Sequence, residues 1–297
     1  MKVLIVCDAE GCYKYLPKRK ASMAMCIELR AVLDKLLKDG KYEISVMDMH
    51  GNGHNVDELS PDYKEVTFIH HICGMDCFNY DVAVIIGMHA RSGANSPVAH
   101  TFRREILDVR LDNKSVGEYA LLYNWLAYYK IPVCFVSGEA ELKEEILEYS
   151  PNVPFVFYAE NKGIGIEAIE SMCEKMIQNL KIPNDIQEYS KETIYVRLKR
   201  KYYYDFFPEK VFIVEGDQLV FSDTFEMISH VFLLSDIIDA AELFFRTYFY
   251  YINQQIDFLF SAEEKDRFKE ENKKILKKNR SEMEVSDIVH LWKCLNK

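Results

Sequence analysis

No stretch of the 297 residues is apolar for long enough to cross a bilayer, which takes about 20 residues, so no membrane span is expected. The first apolar run stops at Asp8, too soon for a secretory signal peptide. Basic charge is in deficit: 37 Lys and Arg stand against 47 Asp and Glu, a formal charge of −10. That balance argues against a nucleic-acid partner, because affinity for phosphate backbones needs an excess of Lys and Arg. The eight cysteines, at positions 7, 12, 26, 73, 77, 134, 173 and 294, have no framework spacing. Several fall inside apolar patterns, where reduced cysteine behaves as a small hydrophobe, and a cytoplasmic, reducing location is the simplest reading. Internal repeats and low-complexity linkers are missing too. What is present is ordinary globular composition, 49% apolar and 28% charged, in a chain long enough for one large domain or two modest ones.

Strand and helix patterns alternate over about the first 180 residues. Residues 3–7 form an apolar strand ending in Asp8-Ala9-Glu10-Gly11. Residues 22–37 carry apolar side chains at helical spacing, stopped by Asp39-Gly40. A second strand, 42–47, runs into a loop rich in Gly and Asn that holds His50 and His54. A third, 81–87, is apolar throughout its middle and so expected at the centre of a sheet. Residues 106–116 read as two short strands about a turn at Asp112-Asn113, and Gly117-Glu118 opens an apolar helix. A strand over 132–137, a helix over 140–149, a weaker strand at 155–158 and a helix over 166–180 follow. The pattern predicts an α/β fold, a mainly parallel sheet with helices on both faces, over residues 1–185. Residues 186–260 read as a smaller α+β C-terminal lobe with a long apolar helical region from Thr224 to Tyr250, and 261–297 as a charged, solvated helical tail.

The strand ends carry the chemistry. In an open α/β sheet, sites lie beyond the carboxyl ends of the strands. The first strand delivers Asp8 and Glu10 there, the second His50 and the third His89, while Glu118 opens the helix after the small hairpin. If the first strand continues, Asp8 and Glu10 at i and i+2 point the same way. Acids at the end of a buried strand cost desolvation energy unless a cation or donor meets them. Three carboxylates and two imidazoles make a mixed oxygen and nitrogen set suited to zinc or a similar divalent ion. Five ligands exceed one tetrahedral site, and a carboxylate such as Asp8 can bridge two ions. His100, in the Ser/Gly/Asn/Pro loop after His89, is not needed to fill that shell and is free to move a proton.

Each residue also has a plainer reading. Asp8 and Glu10 can cap a turn or a helix, His89 can cap a backbone group, and Glu118 can be a first-turn acid facing a helix dipole. His100 can be a solvated loop histidine, and His54 can take the place of His50. His70, His71, Cys73 and Cys77 fit no zinc spacing and read as core or helix surface. Gly163-Ile164-Gly165 lacks the third glycine of a dinucleotide loop. Arg91 suits either a substrate carboxylate or a neighbouring acid.

The ordered set Asp8-Ala9-Glu10-Gly11, Asp48-Met49-His50 with Asn55, Gly87-Met88-His89-Ala90-Arg91, His100, Val116-Gly117-Glu118 and Ile131-Pro132-Val133 resembles the D-aminopeptidase family of zinc metallopeptidases. The resemblance implies two zinc ions per chain, with Asp8 bridging and Glu10, His50, His89 and Glu118 completing the centre. It places His100 in the catalytic position. The implied reaction is hydrolysis of the N-terminal amide bond of short peptides or amino-acid amides by a metal-activated water, in a homo-oligomeric ring. Two alternatives stand beside it: a non-catalytic α/β binding or scaffold protein of the same fold, and a hydrolase of a different small amide or ester. The short basic segment with Lys14, Lys18, Arg19 and Lys20 departs from the family, as does the tail beyond Phe260.

Overall fold

The first strand, β1 (Lys2–Cys7), is buried along nearly its whole length, and successive side chains enter different cores. Val3, Ile5 and Cys7 pack on one side of the sheet; Leu4 and Val6 pack on the other. A strand covered by helices on both faces must be apolar at every position, which is why its sequence shows no alternation. A computed structural model describes residues 1–13, 21–51, 53–70, 79–157, 166–183, 187–279 and 281–295. The basic residues Lys14, Lys18, Arg19 and Lys20, the stretch 71–77 and Gly163-Ile164-Gly165 lie outside these described residues.

After β1 come α1 (Glu10–Tyr13), α2 (Ala21–Asp39), β2 (Glu43–Asp48), β3 (Thr67–His70) and β4 (Val82–Met88). Next are β5 (Ile106–Leu111), β6 (Lys114–Ser115), α3 (Glu118–Tyr128), β7 (Val133–Gly138), α4 (Lys143–Tyr149), β8 (Phe155–Phe157) and α5 (Ile166–Asn179). The C-terminal part holds β9 (Ile194–Leu198), β10 (Ile213–Glu215), β11 (Gln218–Phe221), α6 (Thr224–Leu259), α7 (Ala262–Glu271), α8 (Lys273–Leu276) and α9 (Val285–Leu295). Six strands form a parallel sheet in the order β3-β2-β1-β4-β7-β8, with α2 and α5 on one face and α3 and α4 on the other. The parallel α/β expectation holds, and β4 lies at the centre beside β1.

The smaller sheet differs from a simple C-terminal unit. Its order is β10-β11-β9-β5-β6, all antiparallel, so the hairpin of β5 and β6 leaves the first part of the chain to pair with β9. Its core is completed by α6 and by the tail. Phe268, Met283, Ile288, Leu291 and Leu295 are all buried there. The expectation of a solvated tail is therefore corrected: four apolar positions of α9 and α7 at helical spacing form a docking face, and the Glu and Lys between them kept that face from being read. The helical region from Thr224 is a single helix of 36 residues, capped by Asp223, whose carboxylate accepts the Glu226 amide at 2.9 Å.

Candidate metal centre

Asp8 follows directly on β1, and its amide still donates to Ile86 at 2.9 Å across the parallel ladder. There the strand ends. Glu10 begins α1, so the two acids do not meet by strand alternation as expected from their spacing. Instead the chain turns, and Asp8 Oδ1 accepts the amides of Ala9 at 2.7 Å and Glu10 at 3.3 Å. Asp8 thus caps the turn while its carboxylate stays at the head of the sheet.

His50 lies two residues beyond β2. Asp48, the last residue of that strand, is fully buried and holds the loop: its carboxylate accepts the His50 amide at 3.0 Å and the Asn55 amide at 2.7 Å. The Asn55 side chain donates to the His50 carbonyl, closing the clasp. Asp48 and Asn55 are therefore loop-shaping residues.

His89 is aimed by a bulge. The register of β4 against β7 slips between Ile85 and Met88, so β4 carries one extra residue. The cores record the slip: Val82, Val84 and Ile86 face one side, but Met88 joins Ala83 and Ile85 on the other. One inserted residue moves each later side chain to the opposite face. Gly87 is the hinge, with φ of +74°, and a Cβ there would overlap the Asp8 carbonyl oxygen.

His100 and Glu118 arrive from the other side. Glu139, fully buried at the end of β7, accepts the Ala90 amide at 2.7 Å and the Ser96 hydroxyl at 2.6 Å. It thereby pins the loop between His89 and His100 at its start and in its middle. Glu145 on α4 accepts the amides of Gly117 and Ala120, each at 2.9 Å, and so holds the N-terminus of α3 where Glu118 begins. Phe102 takes a left-handed backbone, φ of +59°, and its amide donates to Glu118 Oε1 at 2.6 Å. For so bulky a residue that conformation is costly and is held by its surroundings.

The six expected residues converge. His89 Nδ1 lies 2.7 Å from Asp8 Oδ2, and His50 Nδ1 lies 3.6 Å from Asp8 Oδ1 and bonds Glu10 Oε2. Glu118 Oε1 is 3.3 Å from His89 Nε2, and His100 Nε2 is 3.8 Å from Glu10 Oε1. The His89 and His100 rings stack with centroids 4.2 Å apart. Two sets of donor atoms, Asp8/Glu10/His89 and His89/His100/Glu118, each lie within 4.8 Å of one another. They open on a cavity of about 100 Å³ that Met49 and Phe102 line as well, with Val231, Phe232 and Ser235 of α6 across from them. His54 points elsewhere, toward Asp57 and His70. Arg91 donates to the Ser92 carbonyl at 3.1 Å, and its charge acts on Glu145.

The electrostatics suit a cation. Burial favours the neutral acid, and with the Asp8 charge beside it pushes Glu10 up to about 8. Burial also opposes ionisation of Asp8, but bonds from Glu10 and His50 and the charge of His89 hold it well below the usual carboxylate range. His50, although desolvated, is pushed up to about 10 by its bonds to Asp8 and Glu10. His89 rises for the same kind of reason: burial opposes its charge, and Glu118 and Asp8 outweigh burial. The Glu118 carboxyl, buried too, is drawn down by His89. In this arrangement imidazolium protons balance the carboxylates. A divalent ion would balance the same charge and leave the imidazole lone pairs to ligate it. His89 Nε2, buried and without a hydrogen bond, fits that role.

The cluster of acids and imidazoles could be foreseen from the strand ends; its supports could not. Glu139 closes a strand as Asp8 does, and that position was its one signal. Glu145, Phe102 and the α6 residues carry no local mark, since distant segments bring them in.

A family model described as D-aminopeptidase matches residues 1–199. Among solved structures, the Zn-dependent D-aminopeptidase DppA from Bacillus subtilis, described as a self-compartmentalizing protease, superposes with a TM-score of 0.67. The match has 17% sequence identity and covers 80% of this chain and 97% of that one, a likeness of fold. No curated protein matches the chain by sequence.

Proposed function

The chain belongs to the D-aminopeptidase family, and we propose that it is a zinc metallopeptidase cleaving the N-terminal amide bond of short peptides or amino-acid amides. The observation that carries this reading is that Asp8, Glu10, His89, Glu118 and His100 line one cavity, with the His50 ring held against Asp8 and Glu10. Those five residues are the proposed ligands of two zinc ions, with Asp8 shared. Its two carboxylate oxygens face different imidazoles, Oδ1 toward His50 and Oδ2 toward His89, which supports the sharing. Zinc bound there supplies a Lewis acid for the amide carbonyl and activates water at neutral pH.

His100 is the proposed proton carrier. Its Nδ1 lies 2.7 Å from the Val98 carbonyl, which can only accept, so Nδ1 carries the hydrogen and Nε2 presents its lone pair toward Glu10. Burial lowers its pKa, keeping the ring neutral and able to take a proton near neutral pH. Met49, Phe102, Val231 and Phe232 supply an apolar wall for the substrate side chain.

Homo-oligomeric assembly is part of the proposal. Leu243, Tyr250 and Phe258 project from α6 more than 60% exposed, an apolar surface that favours a partner copy. The Bacillus neighbour is described as self-compartmentalizing. Among the described residues no helix is long and apolar enough to cross a membrane, and Cys7, Cys26 and Cys134 lie buried as thiols, which supports a cytoplasmic site of action. The test is a screen of L- and D-aminoacyl amides and dipeptides with the zinc-loaded protein and with chelated protein. Turnover that disappears on chelation and returns with zinc is expected; no metal-dependent turnover on any substrate overturns the reading.

A further inference from the structure

Two histidines that the buried centre does not use come together on the surface. His54 lies in the loop after β2, Asp57 opens a 3₁₀ turn, Asp57–Leu59, and His70 is the last residue of β3. His54 Nδ1 lies 2.9 Å from Asp57 Oδ2 and His70 Nδ1 lies 3.5 Å from Asp57 Oδ1. The two imidazoles stack with centroids 4.1 Å apart and planes 29° from parallel. One donor atom from each of the three residues lies within 4.8 Å of the others. His70 is therefore neither core nor helix surface, as its sequence context suggested, but the exposed end of a strand.

We infer that His54, Asp57 and His70 form a second metal site, separate from the buried centre, that takes a transition-metal dication of the Zn2+, Ni2+ or Cu2+ type. Two imidazoles and one carboxylate are the ligand chemistry those ions prefer over Mg2+ or Ca2+, which favour all-oxygen shells. A cation among the two rings and the carboxylate is attracted by all three. The side chains are each roughly half exposed, so water completes the coordination and the ion exchanges with solvent.

The location says what such an ion does. His70 pairs in register with Asp48, the residue that clasps the His50 loop. Its Nδ1 donates to the Gly53 carbonyl of that same loop at 2.7 Å, which leaves Nε2 of the ring to meet an ion. An ion held by His54, Asp57 and His70 ties the loop, the 3₁₀ turn and the end of β3 to one point, and so staples the segment that presents His50.

The experiment dialyses the full-length protein to equilibrium against micromolar free Zn2+ and measures metal per chain by mass spectrometry. Wild type is compared with His70→Ala and Asp57→Asn, whose folding is checked by circular dichroism. Wild type is expected to hold one zinc ion more per chain than His70→Ala, and Asp57→Asn to need about tenfold or more free zinc for that last ion. As a second readout, one equivalent of Cu2+ added to zinc-loaded protein is expected to show coupling to two imidazole nitrogens, reduced in His70→Ala. Equal zinc content in wild type and His70→Ala, or a Cu2+ spectrum unchanged by the substitution, overturns the site. Either failure leaves the buried centre and its chelation test untouched.

Discussion

His89 and His100 lie ring over ring, yet their surroundings move them in opposite directions. Carboxylates on both sides hold the proton on His89, while burial and that same proton keep His100 neutral. This difference is what lets one imidazole join the charge balance of the centre and the other exchange protons. His100→Ala should leave zinc content intact and lower amide turnover by about 10²–10⁴-fold; unchanged turnover would remove His100 from the chemistry. A second prediction concerns protons. Glu10 is raised to about 8 and His50 to about 10, so near pH 7 both bind protons that a metal must displace. Metal affinity should therefore strengthen as pH rises through 7 toward 10 and weaken as it falls. Calorimetry in buffers of different ionisation enthalpy should register about one proton or more released per ion, and a pH-independent affinity would contradict the assigned ligands. The positions of Asp8, His50 and His89 were legible because a strand end is a local feature. Glu139 and Glu145 were not legible as supports: each acts on amides some 25 to 50 residues away.

At the scale of elements, the bulge in β4 and the placement of α6 decide the shape of the site. Gly87→Ala would force a left-handed residue with a Cβ against the Asp8 carbonyl. A loss of at least ~1–2 kcal/mol in denaturant unfolding is expected. A variant as stable as wild type would mean the bulge can relax. Arg103 ties α6 to the site, donating to the Ser235 carbonyl at 2.9 Å and to Asp239 at 2.6 Å, and Ser235 lines the cavity. Arg103→Ala should lower kcat/KM by about tenfold or more without loss of zinc, since displacement of a cavity wall by ~1 Å costs up to ~10²-fold. The helix itself was readable from its apolar content. Its contact with the cavity was not, because helical periodicity tells which face is buried and not what covers it.

At the scale of the whole molecule, the family match ends at residue 199 while one wall of the cavity comes from α6, beyond it. The C-terminal part is thus joined to the site, and the tail is joined to the C-terminal part through Phe268, Ile288 and Leu291. Removing residues 261–297 should uncover the α6 face that α9 packs on, where Tyr248 and Tyr251 meet Trp292. A lower melting temperature and aggregation are expected in thermal unfolding; a tailless chain as stable as the full one would argue that α9 docks only weakly. Light scattering of the intact protein should give a multiple of 34.8 kDa.

The sequence by itself determined the layered α/β fold, because fully apolar strands can exist only between two covering layers, and it determined which acids and imidazoles stand at the strand ends. Only the tertiary structure decided that the β5–β6 hairpin pairs with β9, that one extra residue in β4 turns His89 toward Asp8, and that α6 closes the cavity. Those three facts depend on segments far apart along the chain, and no local pattern of residues encodes a meeting between them.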